Sequence, residues 1–392
     1  MRAIPYIFCV SIFFTTGCWD RMELNDRSIW LATGMDAKKD GEIRVSGQVV
    51  IPSTMQPQGG STGDKFFVIS AGGKSVNDAL SNIQGKLSRE IFLGQRRSTL
   101  IGETLAKRGL KKHLDFIVRP ADLNMRTGAF IIKNGTAEEA LRIIYPLELI
   151  SSLTALKEYG NLAKHGDDTM LNFLVAANSE GIPPILPAVE IKSQEENHSN
   201  QEVSSNASIE MAGVAIFNQD LKLRGYLNMK ESKDLYWIKG ILKKNTLSLL
   251  LHGENASLNV IKMSSKFIPE KNEQNKIKMT LKLKCKGMLV ENNTNLDLLD
   301  LANVKILEKK MEEMVKKEVM NTIKKVQTEY RTDVFGFGEA IHRKYPDEWK
   351  KMKGNWEQSF SELDISLIVD VKINQVGLSG PSTLYREREI KK

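Results

Sequence analysis

The chain has 392 residues, 41% hydrophobic and 27% charged, and 56 Lys and Arg against 48 Asp and Glu leave a formal net charge of +8. That length allows two or three domains of ordinary size. No basic run is interleaved with aromatics, which argues against a nucleic-acid partner, and three cysteines are too few for a disulfide-built scaffold.

The N-terminus carries one cation, Arg2, then an apolar run from Ile4 to Phe14, then Thr15-Thr16-Gly17-Cys18. This is the layout of a secretory signal, and the run is too short for a membrane-spanning helix, which needs about 20 apolar residues. Gly17-Cys18 after small residues is similar to a lipobox, with Thr15 where an aliphatic residue is usual. Cleavage before Cys18, with a diacylglycerol on its thiol as part of a diacylglycerol/acyl lipid on Cys18, is therefore expected, and residues 1–17 are the signal peptide. A buried N-terminal strand is the plain alternative; the polar turn at Trp19-Asp20-Arg21 argues against it. The mature part keeps 392 − 17 = 375 residues. Its basic balance suits an anionic membrane surface, or simply solubility. With Cys9 removed and Cys18 lipidated, Cys285 remains; it sits on the apolar side of the alternating Lys282–Lys286 and reads as a small buried hydrophobe.

From there the pattern mixes strands and helices. Ile29–Met35 and Glu42–Ile51 alternate around Asp40-Gly41, a hairpin signal. Gln56–Asp64 is a polar loop, and Phe66–Ser70 a strand. Val76, Ala79, Leu80, Ile83 and Leu87 share one helical face behind Ser75, a cap. Ser98–Ile101 is a strand, and Leu105 through Val118 outline one helix. Gly128–Lys133 is a strand, and Thr136-Ala137-Glu138-Glu139 is a capping box for a helix through Ile144. Helices follow near Ser151–Tyr159 and Thr169–Glu180. Ser193–Ser208, almost free of large apolar residues, reads as an interdomain linker. Strands are expected at Gly213–Asn218 and Leu221–Leu227, and a helix at Asp234–Leu242. Further strands fall at Thr246–His252, Ser257–Phe267 and Lys276–Val290. A long helix runs from about Asp297 to Tyr330, its stripe of Val304, Leu307, Met311, Met314, Val315, Val319, Ile323 and Val326 reading as a core seam rather than a partner seam. A short helix at Gly338–Arg343, then Trp349 and Trp356, lead to the strand Asp364–Gln375. Strands and helices without strict βαβ alternation make the class α+β. The expected division is 18–192, a linker 193–208, a β-rich unit 209–295, and a unit 296–392 with the long helix.

Catalytic patterns are missing. Gly72-Gly73-Lys74-Ser75 imitates a phosphate loop, but Val68 stands where the motif needs its first glycine, so it reads as a turn and a helix cap. There is no Gly-x-Ser-x-Gly elbow and no His-Glu-x-x-His helix. The five histidines are scattered without metal-ligand spacing. Asp167-Asp168 and Glu195-Glu196 read as solvated loop carboxylates. Neither an enzyme nor a metal or organic cofactor is expected.

Cys18-Trp19-Asp20-Arg21-Met22-Glu23-Leu24 resembles the mature start of the Ger(x)C family, the C-subunit lipoproteins of spore germinant receptors. Gln95 to Ala106 resembles the family's strand-to-helix segment, Asp115–Arg119 with Arg126 its arginine-bearing stretch, and Thr332–Gly338 with Trp349 and Trp356 its C-terminal signature. The resemblance implies three small α/β domains and a lipoprotein on the outer face of the spore inner membrane. It implies two integral membrane partner subunits, one similar to an amino-acid permease, and a part in nutrient-triggered germination. It implies no catalytic residues.

Two functions fit. A scaffold or signalling subunit would grip its partners, with Arg96, Arg97, Arg119 and Arg126 as candidate contacts, because arginine holds carboxylates in a two-pronged geometry that lysine lacks; internal ion pairs are the plainer reading of the same residues. A solute-binding lipoprotein would instead need a pocket with aromatic and polar groups, for which Trp30, Trp237, Trp349 and Trp356 are candidates, although core packing is their commoner use.

Overall fold

The computed structural model describes residues 23, 26–51, 65–119, 123–144, 148, 151–164, 166, 168–193, 207–377, 382 and 385–391. Cys18 and the signal segment lie outside the described residues, as do the 56–64 loop and Glu195-Glu196.

The first hairpin pairs β1 (Arg27–Ala37) with β2 (Ile43–Val50) around Gly41, whose φ of 78° suits glycine. β3 (Phe66–Gly73) pairs on β2 and leads into α1 (Val76–Gln84). Ser75 caps this helix, its Oγ accepting the Asp78 N–H at 3.1 Å. At Gly73 a Cβ would stand 2.4 Å from the Ala79 nitrogen, so this glycine serves close packing, not phosphate. β4 (Glu90–Phe92) and β5 (Ser98–Gly102) both run parallel to β1. The single helix expected over 105–118 is two, α2 (Glu103–Arg108) and α3 (Lys111–Val118), because Gly109 turns to φ 112° and ends the first. β6 (Gly128–Lys133) precedes α4 (Ala137–Arg142), which opens on the full Thr136/Glu139 capping box and stops before Ile143 turns extended. α5 (Ser151–Leu162) and α6 (Met170–Ala177) follow.

β7 (Ile185–Ser193) has no counterpart in the sequence reading; Pro183, Pro184 and Pro187 disguise it. It pairs antiparallel with β8 (Ala207–Phe217), up to Ser193 opposite Ala207. The segment expected as an interdomain linker therefore joins neighbouring strands of one sheet, and the boundary at 193–208 is not a sheet boundary. With β9 (Leu223–Leu227) the sheet has nine strands, ordered β3-β2-β1-β5-β6-β7-β8-β9, β4 pairing on β1. One face packs against α1, α2, α3 and α6 through Trp30, Ile83, Leu114, Ile131 and Phe173. The other packs against α4, α5 and α7 (Met229–Ile238) through Phe130, Leu141, Tyr159 and Tyr236. α7 starts earlier than the apolar pattern suggests because Asn228 and Glu231 form a second capping box.

The second sheet has the order β10-β11-β12-β13, from β10 (Asn245–Leu251), β11 (Glu254–Lys271), β12 (Ile277–Asn292) and β13 (Asp364–Gln375). β13 runs parallel to β12 and comes from beyond the long helix, so the expected units 209–295 and 296–392 share one sheet. The architecture is α+β, organised as two sheets rather than three linked units. α8 (Leu301–Lys325) lies against β13 with Leu307, Met311, Val315, Val319 and Ile323 buried, so the stripe is a core seam. Its Glu312 and Glu308 accept the N–H groups of Val371 at 3.1 Å and Ile373 at 2.9 Å, closing that sheet edge. A π-helical turn (Val326–Tyr330) ends α8, and α9 (Phe337–Lys344), α10 (Pro346–Met352) and α11 (Trp356–Ser361) follow. One apolar cluster runs from Ala32 and Phe130 through Trp237 to Leu281 and Trp349, so both sheets share a core. Among the described residues no helix is long and apolar enough to cross a membrane.

Candidate functional site

The arginines singled out in the sequence do not converge. Arg96 is 3% exposed, its Nε and Nη2 have no hydrogen-bond partner, and burial pushes its pKa down to about 10. A partner cannot reach it, which removes Arg96 from the candidate contacts; nor is it held in the expected internal ion pair among the described residues. Arg119 is exposed and paired one turn back with Asp115, which raises its pKa. Arg97 and Arg126 are exposed. Arg97 is fixed through its backbone, by the Leu31 carbonyl at 2.8 Å and the Gly128 N–H at 3.0 Å, so its side chain projects from the register of three strands. The candidate tryptophans are core residues: Trp30, Trp237, Trp349 and Trp356 are all buried. Asp168, expected to be solvated, is 1% exposed and accepts the Gly166 N–H at 2.8 Å. Cys285 is buried against β13, and burial pushes its thiol up to about 12, so it is an inert packing residue.

The structure instead brings chemistry together where the two halves meet. The end of α8 is terminated by Arg331, a non-glycine residue held at φ 50° with its N–H on the Val326 carbonyl at 2.8 Å. Two residues on, the buried Asp333 carboxylate accepts three N–H groups, from Gly336 at 3.0 Å, Phe337 at 3.1 Å and Gly338 at 2.7 Å. Burial still outweighs these bonds and raises its pKa to about 6. The Asp-Val-Phe-Gly-Phe-Gly run is thus a folded knot. Its carboxylate caps α9, Phe335 stacks on Phe337, and Gly338 leaves room for Trp349 and Trp356.

Trp349 then reaches across. A Cβ on Gly181 (φ 81°), in the first half, would stand 2.5 Å from the indole Cη2. Nearby, Tyr330 lies over Gly225 and donates its hydroxyl to the Tyr226 carbonyl at 2.9 Å. Polar clamps line the same seam. Thr322 donates to Asp234 at 2.6 Å, Lys325 bridges to Glu231 at 2.9 Å, and Lys353 bridges to Glu180 at 2.9 Å. Between Gly181, Asn218, Arg331, Asp333, Lys353 and Trp356 a cleft of about 200 Å³ remains. It offers cations, amides and one aromatic wall, but no nucleophile with an adjacent base. No group of three or more potential metal ligands occurs among the described residues. The Thr332–Gly338 block was legible as one segment, whereas Gly181 and Asn218 reach it from far earlier in the chain, and Arg331, next to the block, is marked only by its left-handed backbone.

Residues 20–191 match the family described as the spore germination protein N-terminal domain, and residues 212–377 match that described as spore germination B3/GerAC-like, C-terminal. The chain belongs to the GerAC-like spore germination family. Among its relatives, spore germination protein KC of Bacillus subtilis is 26% identical, the alignment covering 96% of each chain. Spore germination protein B3 of the same organism is 24% identical over 93% of this chain and 95% of that one. The crystal structure of the GerBC protein shares the fold, with a TM-score of 0.55 and 18% identity over 87% of this chain and 96% of that one. The two family regions lie either side of residues 192–211, and the strands that flank the polar segment there, ending at Ser193 and beginning at Ala207, pair in the first sheet.

Proposed function

We propose that the chain is the lipid-anchored subunit of a spore germinant receptor, working as a non-catalytic scaffold or signalling subunit in nutrient-triggered germination. The observation that carries this reading is the pair of spore germination family matches, in order, along nearly the whole chain. In this reading Cys18 bears diacylglycerol and an acyl chain, and the folded part sits on the outer face of the spore inner membrane. Two integral membrane subunits, one permease-like, are its partners, and the exposed Arg97 and Arg126 are contact candidates. The shared core and the clamps of the seam suit a part that holds its partners in fixed relative positions. Co-purification from spore membranes tests the assembly: wild-type chain should bring down both membrane subunits, and recovery of neither ends the scaffold reading.

A second reading, capture of a small nutrient, has one feature in its favour: the cleft at the seam, with Arg331 and Lys353 beside Asn218. Titration calorimetry of the chain against a panel of amino acids and sugars separates the two. Saturable heat with one nutrient, abolished by Arg331→Ala, would move the function from scaffold to receptor site.

A further inference from the structure

The outer face of the second sheet carries a lysine array that its own stability does not call for. Along the antiparallel ladder of β11 and β12, Lys262 lies directly opposite Lys286, and Lys266 directly opposite Lys282, with Lys284 between them opposite Ser264. Directly opposed side chains on such a ladder have Cβ atoms about 5 Å apart, and like charges there are destabilising. Only Lys284 has an acid within reach, Asp370 at 3.5 Å, and that carboxylate is shared with Lys372. Lys262, Lys266, Lys282 and Lys286 form no ion pair with a described residue. The opposite face is core, with Met263, Leu281, Leu283 and Cys285 inward. The array therefore projects away from the molecule.

Aliphatic side chains share this face. Ile368 stands beside Lys282 in the parallel register and is 49% exposed; Ile261, next to Lys262, is 66% exposed; Val290 and Leu250 are exposed further along. Large aliphatics among mostly unpaired cations, on a face whose one central acid, Asp370, is shared between Lys284 and Lys372, complement a surface that is anionic at its skin and apolar beneath. We infer that this sheet face rests on an anionic lipid surface, its lysines among the headgroups and its exposed aliphatics at the acyl boundary. An acidic protein surface would take the lysines but leave the scattered aliphatics without a complement, so lipid is the better match. The inference rests on membrane residence in the proposed function but not on the lipid at Cys18.

The test uses the full chain with Cys18→Ala as common background, so residues 1–17 contribute equally to every sample. Flotation compares phosphatidylcholine vesicles with vesicles of phosphatidylcholine and phosphatidylglycerol. Each lysine near an anionic surface contributes about fivefold in partitioning. Lys262→Gln, Lys266→Gln, Lys282→Gln and Lys286→Gln together should lower partitioning onto the anionic vesicles at least about tenfold, leave the neutral vesicles unchanged, and abolish most of the salt dependence. A control removing the same charge from α8, at Lys305, Lys309, Lys316 and Lys317, should change little. The four-lysine variant relieves repulsion, so its melting temperature should hold or rise, and a folding failure would contradict the repulsion argument itself. Unchanged anionic partitioning, or an equal loss in the α8 control, overturns the inference. Intact vesicle binding with lost co-purification of membrane subunits would assign the face to an acidic protein partner and overturn it equally.

Discussion

Gly181 is the sharpest point at which the seam can be probed. Gly181→Ala meets two costs in the folded state. At φ 81° an L residue is strained, by about 1–2 kcal/mol. The added methyl also stands 2.5 Å from Cη2 and 2.7 Å from Cζ2 of Trp349, and overpacking of a filled interior costs about 1–3 kcal/mol. Gly240 provides the control: its φ is 72°, and nothing lies within 4 Å of a Cβ placed there. Gly240→Ala should therefore show only the backbone cost. The excess of Gly181→Ala over Gly240→Ala, about 1–3 kcal/mol, measures the fit of Trp349 between the halves.

Urea unfolding of the full chain, followed by tryptophan fluorescence and by circular dichroism, reads both variants. Trp349→Phe shortens the ring that the methyl would strike. In that background Gly181→Ala should fall back to the cost of the Gly240 control, giving a coupling energy of about 1–3 kcal/mol between positions 181 and 349. Equal destabilisation by the two glycine variants, or a coupling below about 0.5 kcal/mol, would show that the indole does not lock the halves.

Three further outcomes follow from the same structure. Burial raises Asp234 and Asp333 to about 6 and Glu158 to about 7, while an unfolded carboxyl titrates near about 4; between about pH 4 and 7 the native state thus holds protons that the unfolded state has lost, and these groups favour folding less as pH rises through that window. Asp234→Asn, which can still accept from Thr322, should flatten the decline in stability between about pH 4 and 6 on a titration of unfolding midpoints; an unchanged slope would remove Asp234 as a contributor. Val319→Asp places a carboxylate in the core seam of α8 and should cost more than about 4 kcal/mol, lowering abundance; normal abundance and melting with failed germination would make the stripe a docking face. Cys285, with its thiol pushed up to about 12, should resist iodoacetamide in the native chain and react only on unfolding, and rapid native labelling would contradict its burial.

Local chemistry was legible in the sequence wherever one short segment determined it. The Thr136/Glu139 capping box, the Ser75 cap, strand Gly128–Lys133 and strand Asp364–Gln375 all stand where residue types placed them. The long helix was readable because an apolar stripe repeated over many turns is hard to imitate. What the pattern hid was pairing across distance. β7 carries three prolines in or before it, yet it holds its place in the sheet because β8 pairs along its whole length while β6 pairs only with Ala188–Glu190, beyond the last proline. The polar 193–208 segment looked like a break between domains because low apolar content is the usual mark of one, and composition cannot show that the strands flanking it pair. The seam was illegible for the same reason. Gly181 lies just past the helix expected near Thr169–Glu180 and Gly338 ends the Thr332–Gly338 block, and only the fold sets one indole against both.

A shared core has a mechanical consequence. Domains joined by small polar interfaces move relative to one another by default, and a large apolar interface removes that freedom. Here the apolar cluster is continuous from Phe130 in the first sheet through Trp237 to Leu281 in the second. The seam adds Trp349 wedged at Gly181 and Tyr330 seated on Gly225. Opening the cleft would expose Trp349, now 1% exposed, and Trp356, 7% exposed, and burying an aromatic of that size contributes several kcal/mol. The cleft is therefore preformed rather than closed by a hinge. In the proposed receptor, a stimulus acting on this chain would displace it as one body, and the proposed contact surfaces, Arg97 and Arg126 on the first half and the lysine face on the second, would move together. If the lysine face lies on lipid, it fixes the orientation in which the first half meets its partners, so neutralising that face should weaken co-purification of the membrane subunits less than it weakens vesicle binding.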